Sequence, residues 1–163
     1  MDGHSRSLLV RGYRHAARRP GRVLFLSALV AVLAGCTPQV PHIVTAPFDS
    51  LSLQRAKDLK DQSLLLMQKA KDPPAPHAAE IQQLKDQLEI AQQAAAQKGA
   101  ANAPATQQWA TMNDPKGALL GGFLQKWQTE NRPQSAAFIA DESKIVSDAF
   151  DQIIKLENGK PKN

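Results

Sequence analysis

The sequence predicts an all-α protein, a four-helix up-down bundle that follows a cleaved leader and a short extended tether. Three observations carry the prediction. Beyond residue 36 the chain is rich in Ala, Gln, Leu and Lys and poor in β-branched and aromatic residues, which favours helix. Four segments carry apolar residues at helical spacing, each bounded by Pro, Gly or a capping side chain. No stretch alternates apolar and polar residues as a half-buried strand would, and no segment repeats another.

The first helix is expected near 49–71, with Leu53, Ala56, Leu59, Leu64, Leu66, Met67 and Ala70 on one arc. Lys60 intrudes on that arc, and Leu65 falls on the polar side. The run Lys71-Asp72-Pro73-Pro74-Ala75-Pro76 stops it, because proline lacks the N–H that a helix interior needs. The second is expected near 77–98, where Ile81, Leu84, Leu88, Ala91 and Ala95 make a narrow seam and Ile90 lies off it. The seam is about two heptads long, shorter than a coiled coil requires, so it reads as one helix of a bundle. Gly99 caps its end, and residues 99–104 read as a loop of small residues.

Thr106 to Met112 reads as a short helix around Trp109. Asp114 then suits an N-cap and Pro115 a first helical position, which predicts a third long helix running to about residue 130. Leu119, Leu120, Phe123, Leu124 and Trp127 form its apolar face. Gly121 and Gly122 fall outside that face and cost roughly 1 kcal/mol each relative to Ala. Ser135 is a good N-cap for a fourth helix over 136–158, with Phe138, Ile139, Ile145, Val146, Ala149, Phe150, Ile153 and Leu156 facing inward. Asp151 and Lys155 are spaced as an i,i+4 ion pair on its outer side. Gly159 and Pro161 end the helix, leaving 160–163 as a tail.

The segment before these helices has a different character. Residues 1–22 hold six arginines and one acid, and residues 23–34 are apolar apart from Ser27. A basic segment, a short apolar segment and small residues at a cleavage point describe a secretory signal. The apolar run is too short to cross a bilayer as a helix, which takes ~20 apolar residues. It closes on Leu33-Ala34-Gly35-Cys36, and Cys36 is the only cysteine of the chain. Arg18-Arg19 raises a twin-arginine route, but Pro20-Gly21-Arg22 lacks the hydrophobic residues that follow in such signals, so general secretion is preferred.

This pattern resembles a bacterial lipoprotein signal peptide with its lipobox, over residues 1–36 only. The resemblance implies a diacylglyceryl group on the Cys36 sulfur, cleavage before Cys36 and acylation of the new amino group. Thr37, in place of an Asp after the cysteine, implies outer-membrane sorting in a two-membrane cell. In a one-membrane cell the same signal implies the outer face of the plasma membrane. Two or three acyl chains hold a protein durably, where one binds only marginally. Residues 37–47, with three prolines and no helical period, read as a tether reaching about 30–35 Å at ~3.1 Å per residue. The helical domain is expected over 48–159.

Charge removes one class of partner. The chain is +5, but the excess lies in the leader; beyond residue 35 there are fourteen basic and fourteen acidic residues. A nucleic-acid binder calls for a basic patch or stripe, so none is expected here. With Cys36 lipidated, no thiol remains for a disulfide or a thiolate metal site.

No catalytic or metal motif emerges. His42 and His77 have no cysteine or carboxylate at ligand spacing. Met67 is the one internal candidate for a haem ligand, and it reads as core. Gly117-Ala118-Leu119-Leu120-Gly121-Gly122 lacks the lysine and the preceding strand of a phosphate loop. Gly117 and Gly121 match the spacing of membrane helix pairs, but the surrounding helix is too polar to span. No serine sits in a nucleophile elbow. Trp109 and Trp127 suit a bundle core better than a sugar-stacking platform. Glu142 breaks its local rule, lying inside the apolar arc of the fourth helix; it reaches water, pairs with Arg132 or Lys126, or marks a contact point.

The sequence therefore reads as a lipid-anchored, non-enzymatic helical accessory or scaffold protein of the cell envelope. It has no cofactor beyond the covalent lipid, and its partners are the membrane and another envelope protein. Leu65, Ile90 and Glu142 are the candidate contact surface, with a tryptophan edge as a further element. The alternatives are an assembly chaperone resembling the pilotins of secretion channels, on size, anchor and helix content alone, and a carrier with a pocket inside the bundle.

Overall fold

The computed structural model describes residues 45–162. The expected leader over residues 1–35, Cys36 and the expected tether up to residue 44 lie outside the described residues. All regular structure among the described residues is helical, in five α-helices where a four-helix bundle was expected. The additional one is the short helix expected around Trp109, longer than expected and starting within the stretch read as a loop of small residues. α1 spans Ser50–Gln68, α2 Ala78–Ala96, α3 Ala103–Asn113, α4 Leu120–Glu130 and α5 Ala136–Asn158.

Caps fix several ends. The Asp49 carboxylate accepts the Leu51 N–H at 3.0 Å and so begins α1. Ser135 does the same for α5 through the Phe138 N–H at 3.2 Å. Asn131, in the left-handed region at φ 47°, closes α4. The proline run after α1 gives two short 3-10 turns, Lys69–Lys71 and Ala75–His77, and the chain reverses into α2.

The largest departure from expectation lies between α3 and α4. The Asp114 side chain accepts the Lys116 N–H at 2.9 Å, and its carbonyl accepts the Gly117 N–H at 3.0 Å. Residues 114–117 therefore close a turn instead of starting a helix, and the expected third helix begins only at Leu120. Both halves run along the same side of α2. Asn113 Nδ2 donates to the Leu88 carbonyl at 3.1 Å, and further along Lys85 Nζ donates to Gln128 Oε1 at 3.2 Å.

The turn folds back on the start of α4, and two glycines admit it. A Cβ on Gly121 would stand 2.4 Å from the Asn113 carbonyl oxygen, and one on Gly122 1.8 Å from that of Gly117. The glycines that had no packing role in the sequence reading are thus the points of closest backbone approach.

α1 lies antiparallel to α5. Gln134 N–H donates to the Ala70 carbonyl at 2.8 Å, and Lys60 Nζ sits 2.7 Å from both carboxylate oxygens of Asp151. This explains the lysine that intruded on the arc of α1. It also corrects the Asp151–Lys155 pair, since Asp151 turns to α1 instead of along its own helix.

The core runs the length of the helices. The α2 seam is buried at all five positions: Ile81, Leu84, Leu88, Ala91 and Ala95. Trp127, Phe150, Met67 and Met112 are fully buried, and Trp127 Nε1 donates to the Asp72 carbonyl at 3.0 Å. Trp109 meets Phe150 edge-on, with ring centroids 6.0 Å apart. Ile145, expected inside, is 46% exposed. It sits at the margin of the α5 stripe, whose centre follows Ile139, Val146, Phe150 and Ile153. No described helix is long and apolar enough to cross a membrane.

Candidate functional site

The end of the body where the tether enters collects the most unusual chemistry. The stripe of α5 continues past Ile153 to Glu157, which is 1% exposed. A carboxylate there needs a partner, since an unpaired buried charge is costly. The C-terminal tail supplies one. Lys160, itself 8% exposed, places Nζ 2.6 Å from Glu157 Oε2 and 2.6 Å from Asn102 Oδ1. Asn102 in turn donates Nδ2 to the Ala95 carbonyl at 2.8 Å. The network ties α5, the tail, the entry to α3 and the end of α2 together.

The tether enters beside this network. Ala46 is buried and its N–H donates to the Ala101 carbonyl at 3.1 Å; the Phe48 N–H donates to the Pro161 carbonyl at 2.9 Å. Lys162 Nζ stands 5.1 Å from the Phe48 ring centroid. Lys98 Nζ lies 2.6 Å from Asp49 Oδ2 and 2.7 Å from Ser52 Oγ. That lysine first, then the Ser52 hydroxyl and the Leu51 N–H, hold the Asp49 carboxyl well below the usual carboxylate range. Residues 45–47, expected as the end of a free extended tether, thus dock on the body together with Phe48.

Between tether and helices lies a groove of about 350 Å³. Ala46, Ala101, Pro104, Ala105 and Leu156 give it a mainly apolar wall, and Lys160 and Asn102 contribute their paired polar groups. Lys155 stands exposed at its rim.

A second region follows the seam between α1 and α2. Leu51 is 63% exposed, Leu65 67% and Ile90 54%. Leu51 and Ile90 share a groove of about 240 Å³ with Arg55, Asp58 and Gln87. Leu65 lines a separate groove of about 210 Å³ with Lys69, Glu80 and Gln83, further along the same seam. Gln62 lies in both, so the two grooves adjoin. Leu65 and Ile90 are therefore on one seam, with polar side chains between them.

The other sequence candidates are dispersed. Glu142 is half-buried and makes no ion pair among the described residues. Arg132 is 3.1 Å from Glu130 instead, and Lys126 stands 4.0 Å over the Phe138 ring. Trp109 is 4% exposed and Trp127 is fully buried, so no tryptophan edge reaches the surface. Leu33, Ala34, Gly35 and Cys36 lie outside the described residues. His77 stacks obliquely near Trp127, with centroids 5.8 Å apart, and Nδ1 is 3.5 Å from Glu80 Oε1, which corrects the reading that no carboxylate stands at helical spacing from this histidine. Lys69 also pairs with Glu80; that contact first, then His77, lowers the carboxyl pKa of Glu80. Among the described residues no three His, Cys, Asp or Glu side chains are placed to hold a metal ion.

Glu157 was missed in the sequence, although the signal was present. It continues the period of Val146, Phe150 and Ile153, and Lys160 follows at i+3. Comparison with protein families, with curated proteins and with solved structures finds no match.

Proposed function

We propose that the chain is a lipid-anchored accessory protein of the cell envelope that works by contact with another envelope protein. The anchor rests on the Leu33-Ala34-Gly35-Cys36 run, the basic and apolar segments before it, and Thr37 for the outer membrane. The observation that carries the contact role is the α1–α2 seam, where Leu51, Leu65 and Ile90 remain exposed beside an otherwise closed core. Apolar anchors with a polar surround are what an amphipathic partner helix lies against. Scattered exposed apolar residues are ordinary; three on one seam is the feature that supports a docking face.

Docking of residues 45–48 shortens the tether. Eight residues separate Cys36 from Thr45, a reach of about 25 Å at ~3.1 Å per residue. An anchored body would stay near its bilayer, with the seam along its side.

The test is site-specific photo-crosslinking in cells. A photoreactive residue at Ile90 or Leu65 is expected to capture a discrete envelope partner, and one at Thr129, exposed on α4, is not. A channel-forming subunit as the single partner favours the pilotin-like reading. Equal capture from all three positions, or none from the seam, removes the contact face.

A further inference from the structure

We propose that the groove at the tether end receives a fatty acyl chain of a membrane phospholipid. This rests on the anchored reading above for its location, and on the groove's own chemistry for its ligand.

The chemistry selects an apolar occupant. The wall is formed by small or aliphatic groups of Ala46, Ala101, Pro104, Ala105 and Leu156. Its buried polar atoms are already engaged: Lys160 with Glu157 and Asn102, and Asn102 with Ala95. The remaining polar side chains of the lining, Thr45, Gln152 and Lys155, are exposed, so polar partners stand at the solvent side of the groove while its buried polar atoms have none to spare. An alkyl chain against the apolar wall loses only apolar hydration. About 350 Å³ is at the lower end of ligand-site volumes, which suits a slender chain better than a bulky ring system.

The surroundings select a phospholipid. The tether end carries Lys98, Lys155, Lys160 and Lys162 against Asp49 and Glu157. Lys98 and Lys160 are neutralised by those two acids. Lys155 and Lys162 make no ion pair among the described residues, and both are exposed. Two uncompensated cations near an apolar slot complement an anionic headgroup attached to an acyl chain. Thr45, in the groove wall, is nine residues from Cys36, so anchoring would keep the groove within about 30 Å of the lipidated cysteine.

The test uses the full chain carrying Cys36→Ser, which removes both the lipidation site and the only thiol. A cysteine placed by Leu156→Cys carries an environment-sensitive nitrobenzoxadiazole dye; Ala75→Cys, at the opposite end, is the reference. Each is mixed with vesicles of phosphatidylcholine and phosphatidylglycerol in equal parts. The vesicles carry a nitroxide either deep in the acyl chain or on the headgroup. The expected result is a blue shift and loss of emission at residue 156, stronger with the acyl-chain nitroxide, and neither at residue 75. Gln152→Trp, an exposed position on the groove wall, is expected to abolish the acyl-chain quenching while the helical circular dichroism stays unchanged. Stronger quenching from the headgroup nitroxide at 156 would mean surface proximity only and overturn the proposal. So would equal quenching at both positions, an insensitive Gln152→Trp chain, or no change with lipid. Because no acyl group is attached, these outcomes are independent of whether Cys36 of the unaltered chain is lipidated; vesicle binding through the basic and apolar residues 1–35 alone would give headgroup quenching without the acyl-chain preference.

Discussion

Lys160 and Glu157 are nearly closed to water, each the other's counter-charge at 2.6 Å. Removing one partner of a buried pair strands the other, at a typical cost of ~3–5 kcal/mol, while replacing both with apolar residues is often neutral. Glu157→Leu alone is therefore expected to lower urea stability by about 3 kcal/mol, and Glu157→Leu with Lys160→Met to recover most of that loss. A double variant as unstable as the single would show that packing, not charge, holds the tail. Asp49 makes the second residue-scale prediction. Its folded carboxyl pKa is depressed below the unfolded value of ~3.9, mainly by Lys98, so its contribution is complete above the unfolded pKa and is lost as pH falls toward the folded one. Asp49→Ala should cost about 1 kcal/mol near neutral pH, as for other N-caps, and the gap from the unaltered chain should narrow below about pH 4. A gap independent of pH would remove the Lys98 contact as its cause.

At the scale of elements, the α3–α4 junction makes the sharpest prediction. Helix propensity alone favours Gly122→Ala by roughly 1 kcal/mol. A Cβ there would stand 1.8 Å from a backbone oxygen of the turn, which must move. Overpacking of this kind typically costs ~1–3 kcal/mol or more, so the substitution should destabilise despite its propensity. Denaturant midpoints decide the sign. The two exposed seam residues behave oppositely: Leu65→Lys with Ile90→Lys should change stability by less than about 1 kcal/mol and weaken partner capture. Unfolding of that double variant would make them core. α2 was legible from its period alone, since it ends at Ala96 with Gln97 as its cap and not at the expected Gly99; α5 was legible because period and caps agree, spanning Ala136–Asn158 as read from Ser135 and Gly159. The break at 114–119 was not legible, because Asp114-Pro115 serves a turn as well as a helix start, and only the tertiary approach to Gly121 and Gly122 decides between them. The Lys60–Asp151 pair and the Lys160–Glu157–Asn102 network escaped for the same reason, since each joins residues distant in sequence to a helix whose period reveals only its own face.

At the scale of the whole molecule, the helical body carries two unlike surfaces, an apolar seam along α1–α2 and a groove beside Lys155 at the end where residues 45–48 dock, and the proposed anchor at Cys36 would place both at the cell envelope. The proposed envelope location of both surfaces rests on lipidation at Cys36. The most direct test is metabolic labelling with an alkyne fatty acid in cells producing the unaltered chain or Cys36→Ser, followed by membrane fractionation. The account predicts a labelled, membrane-bound protein of the size expected for residues 36–163, and an unlabelled precursor that keeps residues 1–35 in the variant. A Cys36→Ser chain that still takes up the fatty acid, or an unaltered chain that never does, would contradict it.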